Sequence, residues 1–207
     1  MKINIPKEVS ELLALMNRYS YEAYLVGGAV RDGLLGRENK DYDICTNMPL
    51  EEIKKIFSNF VIMNQNDHRT TGVFRMNGED IEISYFQGKT LEEDLKNRDL
   101  TINAIACDKN GTIVDPLNGQ EDLQKGILRL TDPEGLAIEK DPLRILRVLR
   151  FSSVLGFEIE ENTKRVLEEK KDLLNRVAGE RIYTEISKIM LSDNPAKTIR
   201  DNKEIIC

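Results

Sequence analysis

Two glycines, an arginine and two aspartates crowd into one short stretch, LVGGAVRDGLLGRENKDYDICT (Leu25–Thr46), and carry the first chemistry the chain offers. At Gly27-Gly28 a backbone without Cβ atoms can turn tightly and come close to a ligand. A helical turn after it would aim backbone N–H groups and Arg31 at an anion, which suits a phosphate. Asp41 and Asp43 alternate with Tyr42 and Ile44, so a strand there puts both carboxylates on one face. Two carboxylates so close repel unless a cation lies between them. At a phosphate-handling site the expected cation is Mg²⁺, held by one or two carboxylates plus substrate oxygens. Taken singly each motif is weak: glycine pairs recur in turns, and a D-x-D also suits an edge strand or a sugar-nucleotide transferase. In strand–turn–helix–strand order they reinforce each other.

Three further groups have the right residue types. In Asp80–Phe86, Ile81, Ile83 and Tyr85 alternate with Glu82 and Ser84, which puts Glu82 on the face away from the aliphatics. It is either a third carboxylate beside the aspartates or an ordinary solvent-facing strand residue. The run Arg98-Asp99-Leu100-Thr101-Ile102-Asn103 mixes charge with apolar residues as a plain surface would not need. An Arg98–Asp99 pair, worth about 0–1 kcal/mol if exposed, is the simpler explanation. Arg144, Arg147 and Arg150 recur at i, i+3 and i+6, spanning about 120° of a helix face. Such a stripe is a solvated basic face, or it faces something anionic: a triphosphate, base acceptors or an acidic neighbour.

These groups need a scaffold. Val9, Leu12, Leu13 and Met16 recur at helical spacing, giving a helix over Pro6–Arg18. A strand over Tyr24–Val26 leads into a helix over Ala29–Leu35, stopped by Gly36, and a strand over Lys40–Ile44. Pro49 opens a helix over Leu50–Phe57 with Ile53, Ile56 and Phe57 inward. Strands follow over Phe60–Asn64, Val73–Met76 and Asp80–Phe86, the last two joined by a turn at Asn77-Gly78. Thr90 and Glu93 form a capping box for a helix over Thr90–Asn97. A strand pair around Asp108–Gly111, a turn at Asp115–Gly119 and a helix over Gln120–Lys125 complete a mixed sheet with helices on one side. From Asp141 the texture is helical. Asp141-Pro142 reads as N-cap and N1 of the arginine helix, with Ile145, Leu146, Val148 and Leu149 inward. Helices over Thr163–Leu174 and Glu180–Leu191 follow, and one from Asn194-Pro195 runs to the end without an evident cap, as a truncated helix would.

Composition narrows the classes. The 207 residues are 40% hydrophobic and 32% charged, enough for a soluble domain plus a smaller one. No apolar run approaches the roughly 20 residues that span a membrane, and MKINIPKEVS lacks a signal peptide's apolar region. The expectation is a cytoplasmic protein that does not engage a membrane. Cys45, Cys107 and Cys207 lack C-x-x-C spacing and read as reduced residues with no zinc site. With one histidine, His68, His-rich metal sites are excluded and no obvious Ser–His nucleophile system is left. A net charge of −6 rules out bulk basic binding, so nucleic-acid contact must come from local clusters.

Four ordered motifs, LVGGAVRDGLLGRENKDYDICT, EDLKNRDLTINAIA, DPLNGQEDL and EKDPLRILRVLRFSSVLGF, together resemble the class II tRNA nucleotidyltransferases. These include CCA-adding enzymes, CC-adding and A-adding relatives, and bacterial poly(A) polymerases. The resemblance implies an α+β fold, a polymerase-β-like nucleotidyltransferase head over residues 1–138 and a small all-helical neck over 139–207, with the family's body and tail domains outside this chain. It implies addition of CMP, and of AMP in some members, to the tRNA 3′ end from CTP and ATP. A poly(A) polymerase-type tailing enzyme and a non-catalytic RNA-binding relative are the alternatives; the acidic set argues against the second. By resemblance, Gly27, Gly28 and Arg31 hold the triphosphate, and Asp41 and Asp43 ligate Mg²⁺ with Glu82 as third catalytic carboxylate. Arg98, Asp99 and Asn103 contact ribose and phosphates. Asp141 and Arg144 read the base, with Arg147 and Arg150 supporting them. Three departures stand out. Lys140 occupies a position that is usually Glu, with Glu139 one place earlier. Tyr85-Phe86-Gln87 replaces Thr-Phe-Arg. The connection Gln87–Thr90 is short, as in CC-adding members.

Overall fold

The computed structural model describes residues 2–39, 41–63, 71–76 and 79–206; expectations placed on Lys40, Asn64, His68, Asn77-Gly78 and Cys207 lie outside the described residues. The chain forms two compact units, Met1–Lys96 with Asn103–Leu117, and Asn97–Ile102 with Asn118–Cys207.

The first unit runs α1 (Lys7–Arg18), β1 (Ala23–Val26), α2 (Gly28–Leu34), β2 (Tyr42–Thr46), α3 (Leu50–Ile56), β3 (Phe60–Met63), β4 (Thr71–Met76), β5 (Glu79–Tyr85), α4 (Leu91–Lys96), β6 (Ala106–Cys107) and β7 (Ile113–Val114). The strands form one sheet in the order β3-β4-β5-β2-β1-β6-β7. It is mixed: β2 and β5 pair in parallel and the other neighbours are antiparallel. Alternation decides its faces. Leu25, Ile44, Ile81 and Ile83 pack with Leu13 and Met16 of α1, Val30 of α2 and Ile53 of α3. The expected layout, helices on one side, holds for these three. On the opposite face α4 adds a smaller layer, in which its Leu91 and Leu95 cluster with Val26, Cys45 and Phe86.

Local chemistry explains several boundaries. Thr90 Oγ1 accepts from Glu93 N–H at 3.3 Å as an N-cap does, while Glu93 reaches back to Lys89 N–H at 2.6 Å, one residue earlier than a standard capping box. Gly72 lies under the Phe60 ring; a Cβ there would come within 2.1 Å of it. Two residues expected inward are exposed, Ile56 at 36% and Tyr85 at 41%. Each is the last residue of its element, where the packed face ends. Among the described residues no helix is long and apolar enough to cross a membrane.

Cys107 is fully buried in the first core, and burial, with Asp108 adding to it, pushes its thiol up from 9.0 to about 12. A raised folded-state value means that the unfolded chain releases the proton first as pH rises, so stability falls between about pH 9 and 12. We expect melting temperature to drop across the accessible part of that window, pH 9 to 10.5. Cys107→Ala should make the drop shallower, read from melts of both proteins at each pH.

The second unit contains α5 (Gly119–Lys125), β8 (Ile127–Leu128), α6 (Leu136–Lys140), α7 (Arg144–Leu155), β9 (Glu158–Ile159), α8 (Glu161–Lys170), α9 (Gly179–Met190), α10 (Pro195–Asp201) and α11 (Lys203–Ile206). The helical texture holds with one addition, a two-stranded parallel pairing of β8 with β9. α7 begins at Arg144, not at Pro142. Asp141 is extended (φ −140°, ψ 92°), the conformation favoured before a proline. Arg144 N–H and Ile145 N–H bond to the carbonyls of Asp141 and Pro142, both at 3.1 Å and three residues back, so a tight turn precedes the helix. Ile145, Leu146, Val148 and Leu149 are buried as expected.

Candidate active site

In the first unit the site grows from the end of β1, the start of β2 and the middle of β5. Val26, the last residue of β1, pairs with Asp43 of β2, which pairs with Glu82 of β5. Aligned residues of neighbouring strands share a face, so Asp43 and Glu82 stand side by side, with the chain turning at Gly27 directly after Val26. Gly27 adopts φ 70°, ψ −132°, a conformation open essentially to glycine alone. It accepts Arg31 N–H at 3.0 Å and so starts α2. A Cβ on Gly28 would lie 3.7 Å from both Arg31 Nη2 and Asn39 Nδ2, so two polar side-chain tips converge over that glycine.

Arg31 is held in place. Its Nε and Nη2 donate to Asp32 at 2.9 and 3.0 Å, a bidentate fork, and its Nη1 donates to Asn103 Oδ1 at 2.7 Å. Asp32 also accepts from Asn39 Nδ2 at 3.4 Å. Asp41 lies just before β2 and is exposed; its N–H donates to Asn39 Oδ1 at 2.7 Å. Asp43 is half-buried and Glu82 is exposed.

Among the described residues no three of His, Cys, Asp and Glu stand close enough to form a protein-only metal cage. Mg²⁺ takes one or two carboxylates and completes its shell with water and substrate oxygens. Asp41, just before β2, and Asp43, within it, are oxygen donors of the right charge. The donor set fits.

The second unit gathers the other predicted residues. Arg147 of α7 donates through Nε and Nη2 to Asp99 Oδ2 at 2.8 and 2.6 Å. Asp99 is buried, and its negative charge pushes the Arg147 guanidinium up. Arg144 donates to the carbonyls of Arg98 at 3.0 Å and Asn97 at 2.8 Å, and burial pushes its guanidinium down. Arg150 donates to Glu185 of α9 at 2.7 Å and stacks 4.2 Å from the Phe151 ring centroid. Asp141 does not cap α7; its carboxylate accepts from Arg181 of α9 at 3.3 and 3.5 Å. The arginine stripe therefore meets two acidic residues and a pair of carbonyls within its own unit.

Gly27, Gly28, Arg31, Asp41, Asp43, Glu82 and Asn103 thus belong to one unit, and Arg98, Asp99, Asp141, Arg144, Arg147 and Arg150 to the other. Sequence reasoning missed Asp32, Asn39, Arg181 and Glu185. Arg181 and Glu185, one turn apart on an amphipathic helix, carried a readable signal. Asn39 carried none.

The sequence matches the family described as "Poly A polymerase head domain" over residues 23–90 and 82–129, more than half of the chain. The chain belongs to that family. Residues 156–201 match a second family, "Probable RNA and SrmB-binding site of polymerase A". Among curated relatives of this poly A polymerase head family, the chain is 42% identical over 175 residues to a CC-adding tRNA nucleotidyltransferase of Shouchella clausii, covering 84% of this chain and 46% of that protein. It is 37% identical over 217 residues to a CCA-adding enzyme of Ligilactobacillus salivarius, covering 96% and 53%. Among solved structures it resembles the Bacillus stearothermophilus CCA-adding enzyme in complex with CTP, with TM-score 0.87 and 34% identity over 93% of this chain and 50% of that one. It also resembles the Thermotoga maritima CCA-adding enzyme complexed with tRNA-CCA, with TM-score 0.83 and 31% identity over 98% and 52%. The α+β nucleotidyltransferase fold is that of these enzymes. The chain spans about half the length of the relatives it matches.

Proposed function

We propose that this chain is the nucleotide-handling portion of a template-independent RNA nucleotidyltransferase that adds CMP to the 3′ end of tRNA. The observation that carries the reading is the alignment of Asp43 with Glu82 directly beside the Gly27–Arg31 turn, because acidic ligands and an anion cradle at one sheet end suit a metal-bound triphosphate. Gly27, Gly28 and Arg31 hold the triphosphate, with Arg31 pre-set by Asp32 and Asn103. Asp41 and Asp43 hold Mg²⁺, and Glu82 adds a third negative charge. When bound, the metal supplies Lewis-acid charge stabilisation and eases proton loss from the attacking hydroxyl. A bond forms between the RNA 3′ oxygen and the α-phosphorus, the bond to the β,γ-diphosphate breaks, and pyrophosphate leaves. Arg98, Asp99 and Asn103 contact ribose and phosphates. Asp141 and Arg144 present an acceptor and donors to the base edge, so protein takes the place of a template, and Arg147 and Arg150 support them. By role, the head is residues 1–138 and the neck 139–207.

The choice of CMP draws on the link between β5 and α4. It is short, and both ends are tied: Gln87 N–H donates to Asp94 at 2.9 Å and Lys89 N–H to Glu93. A link pinned in this way cannot reorganise cheaply to refit the pocket for a second nucleotide. Addition of AMP as well is the second reading, favoured by the CCA-adding relatives. Supplying CTP and ATP separately with Mg²⁺, on tRNA ending before CCA and after CC, tests both readings. We expect CMP on the first substrate and no AMP on the second. AMP on the CC-ended tRNA would select the second reading. No incorporation of either nucleotide, together with no CTP binding by calorimetry, would overturn the function.

A further inference from the structure

Asn39 joins the two halves of the first unit's site. Its amide lies between two groups of opposite need. Asp32, an acceptor only, faces its Nδ2 at 3.4 Å, and the Asp41 N–H, a donor only, faces its Oδ1 at 2.7 Å. Only one orientation of the amide satisfies both. The Asn39 carbonyl in addition accepts from Tyr42 Oη at 2.8 Å, which fixes the loop against the start of β2. Asp32 is the carboxylate that forks Arg31. The chain of contacts therefore runs Asn103–Arg31–Asp32–Asn39–Asp41, from the triphosphate arm to the backbone of the residue that carries the first of the proposed metal-binding carboxylates. Asp41 itself is exposed.

We infer that Asn39 is a positioning residue, which sets Asp41 relative to Arg31 so that metal and triphosphate are gripped in one geometry. The inference rests on the proposed nucleotidyl-transfer reading. Asn39 acts through Asp41 and does not ligate the metal itself. Its effect must then vanish when Asp41 is gone, whereas a residue that merely stabilises the loop would act whether or not Asp41 is present.

A double-mutant cycle on the 207-residue chain reads this without chemistry. Mn²⁺ binding in the presence of CTP is followed by electron paramagnetic resonance for the unmodified chain, Asn39→Ala, Asp41→Ala and the double variant, with melting curves confirming that each is folded. We expect Asn39→Ala to weaken Mn²⁺ binding about 5–20-fold and Asp41→Ala to weaken it at least as much. The double variant should match Asp41→Ala within about two-fold. Asn39→Ser, whose hydroxyl can accept from the N–H two residues on, should restore binding to within about three-fold of the unmodified chain. Multiplicative losses in the double variant, or unchanged binding by folded Asn39→Ala or no rescue by Asn39→Ser, would overturn the inference while leaving the function standing. If Asp41→Ala leaves Mn²⁺ binding unchanged, the metal-binding reading itself fails and takes the inference with it.

Discussion

Replacing Asp43 by asparagine is expected to lower CMP addition by about 10³-fold or more while leaving the melting temperature within about 3 °C of the unmodified protein, or above it. Asparagine keeps the volume of Asp43 and its place in β2, so the strand pairs with Val26 and Glu82 are retained. What it loses is one negative charge. Asp43 and Glu82 face each other in register on parallel strands, an arrangement that costs the fold something because like charges directly opposite repel. Neutralising one relieves that cost. The same substitution removes an oxygen ligand of full charge where phosphoryl transfer needs charge neutralised, and a loss of about 4 kcal/mol in transition-state stabilisation is about three orders of magnitude in rate. Activity and stability should therefore move in opposite directions, the behaviour of a residue retained for function at the expense of fold stability. Glu82→Gln should show the same pattern with a smaller loss of rate, because Glu82 is the more exposed of the two. Single-turnover incorporation of labelled CMP, paired with melting curves, checks both. Activity within ten-fold of the unmodified protein for folded Asp43→Asn would remove the carboxylate pair from the mechanism.

The carboxylates were legible because a strand has a period of two. The aliphatics Ile81 and Ile83 fix which way Glu82 points, and both are buried. That Glu82 stands opposite Asp43 was beyond that pattern, since it depends on the parallel pairing of β2 with β5 across a meander of two intervening strands. Periodicity assigns a face, and only tertiary pairing assigns a neighbour. The arginine helix makes the same point. Spacing showed that Arg144, Arg147 and Arg150 share a stripe and need acceptors. The acceptors come from residues 46, 48 and 35 positions away and are of different kinds: carbonyls, a buried aspartate and a glutamate of α9. The start of α7 was misplaced for a local reason. Asp-Pro satisfies the N-cap and N1 preferences, but the extended Asp141 ends α6 and a tight turn intervenes. β8 and β9, two residues each, are too short to show any alternation.

Arg147→Ala should cost the second unit about 2–3 kcal/mol, or about 5–10 °C in melting temperature, and should be more destabilising than Arg144→Ala. The asymmetry of the pair decides the size. The Asp99 side chain is only 5% exposed, whereas that of Arg147 is 39% exposed. Removing Arg147 leaves a buried carboxylate without its bidentate guanidinium, and breaking a buried pair from one side costs about 3–5 kcal/mol when both members are sequestered. Here solvent reaches the guanidinium side and screens part of that penalty, which moves the figure to the lower value. Asp99 Oδ1 also accepts from Leu100 N–H at 2.9 Å, so part of its charge stays satisfied. The reverse change, Asp99→Asn, leaves an arginine that water can solvate and an amide oxygen that still accepts; it should cost less than half as much. Arg147→Lys should not rescue, because a single ammonium cannot reproduce two N–H donors aimed at one carboxylate oxygen. Arg144→Ala falls between them, since it strands two backbone carbonyls and no charge. Denaturant melts of the four variants order them directly. If Arg147→Ala proves no more destabilising than Asp99→Asn, the pair is a surface contact and its buried side carries no weight. If the predicted order holds, Arg147 is fixed on Asp99 without any nucleotide, and under the proposed function it would act by holding the Arg98-Asp99 turn that Arg144 also grips.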